Sequence, residues 1–518
     1  MLKGIQSILI LSFILSLSLF GGKNVALTKE IENMREGVVY SIRRAASEEF
    51  TEEAAEAVLA YTEGFWVEDD ETAYILKTYD NAVFEVKKKS RREILLSATA
   101  LPTSIVTDTE NLYVFDEILH ELQIYTKQGE LLLRQKVELK DDYVKDLVKK
   151  EGEIAIHTHK GKLIPLDCKT GKLEFSEAVQ LPTPDTAGYN CVEYIGTDED
   201  GTVYSVHTKL VNKCSVIAGE LTLRAVTAEG KLIGSYILPT QEYRYLPGKY
   251  VHVMENGNIY LLIPAEIAVE VRKIALKDKA ESNFTAISKN ALAIETDYAS
   301  EVRYKKQEGT ACTEKINISR EEARQRADAI AGYRWTLKKT HTLTSKSEKG
   351  VTLPREVTYY KAQNADKSSW SVELQGIPYC WGGFYALDIG VGKLTFPQVL
   401  KEKYVTGNIE TKGYYKYMTA GLDCSGYVCA VFKFKTKTNT GGLACLGSSV
   451  TNVKKLQQMD ILVWPGEHVI FFLEWLDNAT MLVSESNVRN GKVITHPKTI
   501  NELIVGVEYQ MRTPFTAK

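Results

Sequence analysis

The sequence predicts a multidomain protein, with an all-β region in its first two-thirds and an α+β domain at its C-terminus. At 518 residues the chain is too long for one hydrophobic core, which favours two or three domains. Short alternating strands punctuated by turns fill residues 64–305, whereas helical and strand patterns are mixed in residues 318–518. The boundary between the two is therefore expected between about residues 280 and 318.

The amino-acid composition and the net charge limit the kinds of binding partner that we expect. Apolar residues make up 44% of the chain and charged residues 25%, which is typical of a globular protein that is not embedded in a membrane. The formal net charge of -3 gives no reason to expect a nucleic acid or an anionic membrane as partner.

The N-terminus predicts export. Lys3 precedes an apolar run over residues 8–20, and two glycines follow the run. A basic residue, a short apolar stretch and then small residues are typical of a secretory signal peptide, assigned here to residues 1–24. The alternative is an uncleaved membrane anchor, although the run is shorter than the ~20 residues that span a bilayer. We therefore expect a secreted or cell-envelope protein with no membrane span once the signal is removed.

Residues 25–63 are predicted to be a short lead-in that contains a helix over residues 51–62, with acidic residues in its first turn. From residue 64 an apolar-aromatic strand start recurs after 39, 42, 49 and 56 residues. This is close to the ~40–50-residue period of a β-propeller blade. The interpretation is a propeller-like domain of five to seven blades over residues 64–305, with a β-sandwich pair or an irregular β-domain as the alternative. Because it contains no catalytic cluster, we interpret it as a scaffold or recognition module for a protein or glycan.

The cysteines and histidines do not predict a metal site, and no cofactor is expected. Eight cysteines are scattered without a CxxC pair, which favours buried thiols over a disulfide framework. Cys380, Cys429 and Cys445 are interpreted as structural thiols. His157 and His159 lie on one face of a predicted strand, without a third ligand nearby, and are interpreted as surface residues.

The second domain begins with a helix signal. Ser319 and Glu322 form a capping box, and Gly332 is placed to end the helix. Two charged segments, residues 335–344 and 355–361, then resemble strands.

Cys424 is the strongest candidate for a nucleophile. It lies in Gly-Leu-Asp-Cys-Ser-Gly-Tyr-Val, residues 421–428, and Val428 and Val431 follow at helical spacing. A helix that starts near Cys424 places its thiol in the field of the helix dipole, which favours the thiolate. The free amides of the first helical turn can also stabilise an oxyanion.

His468 is the candidate base. It opens an apolar strand that is followed by a turn at residues 476–478 and a second strand from Met481. The resulting hairpin would return either Glu485 or Ser484 to His468, where a polar side chain can fix the imidazole tautomer. Strand alternation alone leaves this choice open, because the register is unknown.

Four segments in this part of the chain, residues 376–383, 421–428, 459–473 and 481–486, resemble the NlpC/P60 cysteine peptidases in the family's order. These are papain-like enzymes that cut peptide stems of the bacterial cell wall. The resemblance implies a papain-like α+β fold over residues 318–518.

The resemblance also assigns roles to residues. It implies that Cys424 is the nucleophile, that His468 is the base and that Glu485 is the third polar residue of the catalytic set. Its Pro-Tyr-x-Trp-Gly-Gly motif implies that Tyr379 and Trp381 border the substrate cleft. By the same resemblance, Asp423 and Ser425 flank the nucleophile where polar groups of the substrate are held.

This chain departs from the family pattern at three places. Met459 stands where the family has glycine, Ile470 stands where a small residue is usual, and the hairpin before Glu485 is longer. Residues 384–420 are also longer than the motif spacing requires and are a candidate cover for the cleft.

The expected function is an exported cysteine hydrolase that cuts peptidoglycan stem peptides. One alternative is an amidase or acyltransferase reaction on the same fold. The other is a catalytically silent protein that binds the cell wall or a partner.

Overall fold

In the computed structural model of the protein, the described residues are 38–43 and 62–515, apart from 88–89, 141, 151, 168–169, 171, 182–189, 214–215, 266–267, 278–314, 343–349 and 412–414. The predicted signal peptide lies outside them. The helix predicted over residues 51–62 also lies outside them, except for Thr62, which begins a strand. No helix within the described ranges is long and apolar enough to cross a bilayer.

The region up to residue 277 is built from antiparallel strands in successive meanders, because short Val-, Ile- and Tyr-rich runs alternate with tight turns. The first two meanders comprise β2 (Thr62–Asp69), β3 (Thr72–Lys77), β4 (Ala82–Lys87), β5 (Ser90–Leu95), β6 (Pro102–Thr107), β7 (Asn111–Asp116), β8 (Glu121–Thr126) and β9 (Leu131–Lys136). The next two comprise β10 (Val144–Lys150), β11 (Glu153–Thr158), β12 (Lys162–Asp167), β13 (Lys172–Leu173), β14 (Val179–Gln180), β15 (Cys191–Thr197), β16 (Val203–Lys213), β17 (Val216–Val226) and β18 (Leu232–Ile237). The last comprises β19 (Val251–Val253), β20 (Ile259–Pro264), β21 (Ala268–Ile274) and the N-terminal β1 (Val38–Arg43).

The first strands of these meanders follow one another around a ring. β2 contacts β6, β6 contacts β10, β15 contacts β19, and β19 returns to β2. The link from β10 to β15 includes the ammonium of Lys145, which donates to the carbonyl oxygen of Tyr194 at 3.0 Å. This radial arrangement is propeller-like, so the coarse prediction for the N-terminal region is confirmed.

The predicted number of blades, five to seven, exceeds the number of meanders that form a separate sheet. Four meanders form sheets of their own, while β15–β18 belong to a ten-stranded sheet shared with the C-terminal region. The spacing of strands in the sequence predicted a separate blade for β15–β18, because the pairing of the end of β17 with a distant strand does not alter that spacing. β1, from the predicted helical lead-in, instead pairs with β21 and completes the last sheet.

The described part of the C-terminal region contains five short α-helices: α1 (Arg320–Ala331), α2 (Arg355–Gln363), α3 (Phe396–Lys401), α4 (Cys424–Val431) and α5 (Thr440–Leu443). Its strands are β22 (Arg334–Lys338), β23 (Ser371–Gln375), β24 (Val405–Thr406), β25 (Thr419–Ala420), β26 (Ser448–Ser449), β27 (Ile461–Trp464), β28 (His468–Trp475), β29 (Thr480–Asn487), β30 (Lys492–Thr499) and β31 (Gln510–Thr513). β31, β27, β28, β29 and β30 are neighbours in that order, all antiparallel, and β31 joins β17 through the pair Gln510–Val216.

Helix α4 packs on one face of this sheet. Its Tyr427 ring meets Phe471 of β28 edge to face, with 5.6 Å between the ring centroids. The opposite face of the sheet packs in a separate apolar cluster with Cys191 and Ile217 of the shared meander. The sheet is therefore covered on both sides, by α4 on one and by the shared meander on the other.

The predicted start and end of α1 are confirmed, since Ser319 accepts from the Glu322 N–H at 3.0 Å and Gly332 ends the helix. The Glu322 carboxylate pairs with Lys433, so of the predicted capping box the structure shows the Ser319 half. The strand expected over residues 335–344 is limited to β22. The strand expected over residues 355–361 was wrong, because this segment forms α2, which follows Pro354 and buries Val357 and Tyr359. A proline at the start of a helix costs no hydrogen bond. The two charged residues that follow it are partly buried, since Arg355 donates to the Tyr79 carbonyl at 3.1 Å and Glu356 pairs with Lys492 at 2.8 Å.

Within residues 384–420, Phe396 and Val399 of α3 belong to the same core as α4, and the role of this segment as a cover of the cleft stays a prediction. Two other predictions, for His157 and Cys445, need correction. His157 is not at the surface: it is buried, and its ring meets Tyr194 edge to face at 5.8 Å. Cys445 is exposed rather than a buried structural thiol, whereas Cys380 and Cys429 are buried, as expected.

The propeller-like and C-terminal regions are joined by buried polar contacts. Arg489, in the turn after β29, forms ion pairs of 3.0 Å with both Glu63 and Glu117. Asn501 donates to Glu193 at 2.9 Å and to the hydroxyl of Tyr250 at 3.1 Å. Such pairs require their partners to stay in place, because a buried charge without a partner is costly.

Candidate active site

Cys424 is the first residue of α4 and is 5% exposed. The helix starts there because Asp423 is its N-cap, with one carboxylate oxygen accepting from the Gly426 N–H at 2.6 Å. The first amides of a helix have no partner within the helix, so the backbone around Cys424 is a site of partial positive charge.

The other oxygen of Asp423 anchors two further segments. It accepts from the Gly382 N–H at 3.0 Å and from the ammonium of Lys437. The Ser425 hydroxyl donates to the cap oxygen at 3.1 Å. Both flanking residues of the predicted substrate site are thus buried and engaged in positioning Cys424, and Lys437 is a neighbour that the sequence did not single out.

His468 opens β28 beside the thiol, and 20% of its side chain is exposed. Its Nε2 hydrogen-bonds a carboxylate oxygen of Glu485. Burial lowers the pKa of His468, but hydrogen bonds with the Cys424 thiol and with Glu485 outweigh burial and raise this pKa to about 9. The imidazole therefore lies between a thiol and a carboxylate, which favours its protonated form.

The register separates the two candidates for the third residue. Phe471 pairs with Ser484 and faces α4, so the Ser484 hydroxyl lies 2.6 Å from that of Tyr427. Alternation then turns Glu485 to the opposite face, which it shares with His468. Glu485 contacts the imidazole, and Ser484 does not occupy that position.

Glu485 has two further partners that sequence reasoning missed. Its second oxygen lies 2.6 Å from Nε2 of His496 and 3.4 Å from Nζ of Lys498. Burial raises the pKa of the Glu485 carboxyl, but Lys498, His468 and His496 outweigh this effect and hold the pKa well below its usual range. In the sequence, these two partners are a histidine and a lysine two residues apart on the next strand. Their contact with Glu485 follows from the strand register, in which Glu485 pairs with Ile494.

Tyr509 is another neighbour that was missed. It is buried just before β31, and its ring packs near Trp464 at 6.2 Å. Burial raises the pKa of its phenol well above the usual value, and the nearby Glu485 carboxylate raises it further. A neutral hydroxyl is thus kept near the candidate triad.

The predicted cleft residues differ in exposure. Tyr379 is 3% exposed, and its backbone N–H donates to the Gly491 carbonyl at 2.8 Å. Its side chain is therefore a packing element in this conformation. Trp381 is partly exposed, and its N–H donates to the Asn408 carbonyl at 2.8 Å. Of the two, Trp381 is the residue whose side chain a substrate can reach.

Within the described ranges, His, Cys, Asp and Glu side chains do not gather in a group of three or more suited to a metal ion. The chemistry available at Cys424 is that of a thiol, an imidazole and a carboxylate, which together can transfer an acyl group.

The comparisons with known proteins do not identify a family. No family model matches the sequence, and no curated protein matches it. Among solved structures, a member of the DUF4221 family from Bacteroides vulgatus has a TM-score of 0.31 at 10% identity, covering 47% of this chain and 100% of its own. Glutaminyl cyclase from Myxococcus xanthus has a TM-score of 0.28 at 12% identity, covering 46% and 97%, and a streptogramin B lyase has 0.26 at 9%, covering 41% and 93%. Similarities this low carry no functional argument, so the propeller-like description rests on the strand order.

Proposed function

We propose that this protein is a cysteine hydrolase in which Cys424 is the nucleophile, His468 the general base and Glu485 the residue that orients His468. The observation that carries the proposal is the hydrogen bond of His468 with the Glu485 carboxylate, beside the Cys424 thiol, which lies 4.0 Å from the carbonyl oxygen of the adjacent Glu467. Thiol acyl transfer requires a nucleophile next to a base, and a third group that orients the base.

The proposed reaction begins when His468 takes the proton of Cys424. The thiolate attacks the carbonyl carbon of an amide, and backbone amides at the start of α4 stabilise the oxyanion. His468 then gives its proton to the leaving amine, which departs and leaves a thioester on Cys424. Water, deprotonated by His468, hydrolyses the thioester and restores the thiol. Glu485 keeps Nε2 of His468 protonated, so the other ring nitrogen exchanges the proton with the thiol.

The proposed substrate is a peptide stem of the bacterial cell wall, met by an exported enzyme. The resemblance of residues 376–383 and 421–428 to NlpC/P60 peptidases supports this, as does the apolar N-terminal run. In the same proposal the C-terminal region is a variant of the papain-like fold, since the nucleophile opens a helix packed on an antiparallel sheet that carries the base. The propeller-like region would bind the wall or a partner.

The test is incubation of the purified protein with defined muropeptides, followed by mass spectrometry of the products. We expect cleavage inside the peptide stem by the parent, no cleavage by Cys424→Ala, and unchanged cleavage by Cys445→Ser, which removes an exposed thiol elsewhere. If parent and Cys424→Ala are equally inert but bind cell wall, the hydrolase proposal is wrong. A Cys424-dependent product without a cut in the stem would instead indicate amidase or acyltransferase activity.

A further inference from the structure

An open cavity of about 880 Å³ lies between the propeller-like region and the C-terminal sheet, away from Cys424. Its volume is in the range of small-ligand sites in proteins. Residues of both regions line it, including Glu117, His159 and Lys249 on one side and Arg489, Lys492 and His496 on the other. None of the predicted site residues lines it.

The walls present paired charges of both signs. Lys249 pairs with Asp146 at 2.7 Å, Lys145 with Glu193 at 3.0 Å, and Lys492 with Glu356 at 2.8 Å. Ten acidic and six basic residues line the cavity in total. An anion would face excess negative charge, and an apolar ligand would desolvate these ions without compensation. A ligand that carries both an amine and a carboxylate can pair with both signs.

His496 connects this cavity to the candidate active site. It is 8% exposed, lines the cavity, and has its Nε2 atom 2.6 Å from one oxygen of Glu485. The other oxygen of Glu485 holds His468. The two imidazoles thus share one buried carboxylate, so a displacement of His496 changes the orientation and charge distribution that His468 experiences.

We propose that the cavity between the two regions is a second ligand site for a small zwitterionic peptide, and that His496 transmits its occupancy to His468 through Glu485. His496 is a positioning residue in this scheme, since it lies behind the carboxylate. The biological role of this site rests on the proposed function. Peptide hydrolysis releases a new amine and a new carboxylate, so the site would respond to the product of the reaction.

The experiment uses the full chain and reads the reactivity of Cys424 without any substrate. The rate of alkylation of Cys424 by iodoacetamide is followed by peptide mapping, with and without trialanine, and compared with N-acetyl-trialanine amide, which has no charges. We expect trialanine to change the rate saturably by about twofold or more, and the uncharged peptide to have no effect. No saturable effect at millimolar trialanine would overturn the zwitterion site.

Three variants locate the effect. His496→Gln keeps a donor for Glu485 and should keep the response, whereas His496→Leu should lose it. Lys249→Met, in the propeller-like wall, should also lose it. If Lys249→Met still responds, trialanine acts elsewhere, and the cavity is excluded. If His496→Leu still responds, the route through His496 is excluded.

The positioning role has its own readout. In His496→Leu the carboxylate of Glu485 loses a donor, which strengthens its pull on the proton of His468. The step in the pH profile of alkylation that follows the ionisation of His468 should therefore move to higher pH, and His496→Gln should restore it. A profile that is unchanged in His496→Leu would contradict this role. Failure of the muropeptide assay leaves all these alkylation measurements interpretable, so the two proposals fail separately.

Discussion

The hydroxyls of Ser484 and Tyr427 lie 2.6 Å apart, on the face of β29 opposite to Glu485. This contact ties the sheet to the helix that carries Cys424, and it gives Ser484 a packing role. Glu485, one residue later, is left to contact His468. Neighbouring residues in one strand thus serve the two faces of the sheet.

Substitution of these two neighbours should separate their roles. Glu485→Gln removes the charge that holds the His468 proton, so we expect a loss of hydrolysis of about tenfold or more. Ser484→Ala should retain activity and lose about 1 kcal/mol of stability, because Tyr427 loses a buried hydrogen-bond partner. Steady-state kinetics and urea unfolding of both variants check this. Equal activity in Glu485→Gln and Ser484→Ala would contradict the assignment.

The pH dependence follows from His468. Its pKa is raised from 6.5 to about 9, so activity that requires the imidazolium should fall as pH rises through about 9. Glu485→Gln removes a contact that raises this pKa, and the upper limit should move to lower pH. The pH profile of kcat/KM for both proteins is the measurement. A profile that does not move would show that Glu485 does not act on His468.

The same shift affects stability with a defined sign. The folded-state pKa of His468 lies above its ordinary value, so its contribution to stability is complete below about pH 6.5 and is lost as pH rises through about 9. Urea unfolding of the parent should therefore show a loss of stability across this window. His468→Gln should lack that component, and a parallel loss in both proteins would assign it to other groups.

The cap of α4 should matter for folding as well as for activity. Asp423→Ala leaves the Gly426 and Gly382 amides without their acceptor and the Lys437 ammonium without its partner. Loss of an N-cap alone costs about 1 kcal/mol, and the unpaired Lys437 adds to it. Thermal unfolding of the variant measures the total loss of stability from the missing cap and the unpaired Lys437. Asp423→Asn retains an oxygen that can cap, so it should lose less, and the reverse order would contradict this account.

The contact between the two regions is expected to depend on Arg489. Arg489→Met leaves the buried carboxylate of Glu63 and the partly buried carboxylate of Glu117 without their cation, which should cost roughly 3 kcal/mol. The control is Arg324→Met, which breaks an ion pair with Asp328 on the surface of α1 and should cost under about 0.5 kcal/mol. Chemical denaturation of both variants is the check, and equal losses would contradict it.

Local sequence determined the parts of this protein that depend on neighbours along the chain. The caps of α1 and α4, the helix that starts at Cys424 and the hairpin that begins at His468 follow from short-range hydrogen bonding and periodicity. The strand-rich first region was also readable, because alternation and turn residues are local signals.

Only the tertiary structure decided what depends on register and on distant pairing. Strand spacing could not show that β17 joins β31, because a pairing between distant strands leaves no local mark. The choice of Glu485 over Ser484 required the register of β28 against β29, since a slip of one residue exchanges the two faces. The support of Glu485 by His496 and Lys498 likewise required the pairing of β30 with β29, which brings an imidazole and an ammonium group to this buried carboxylate.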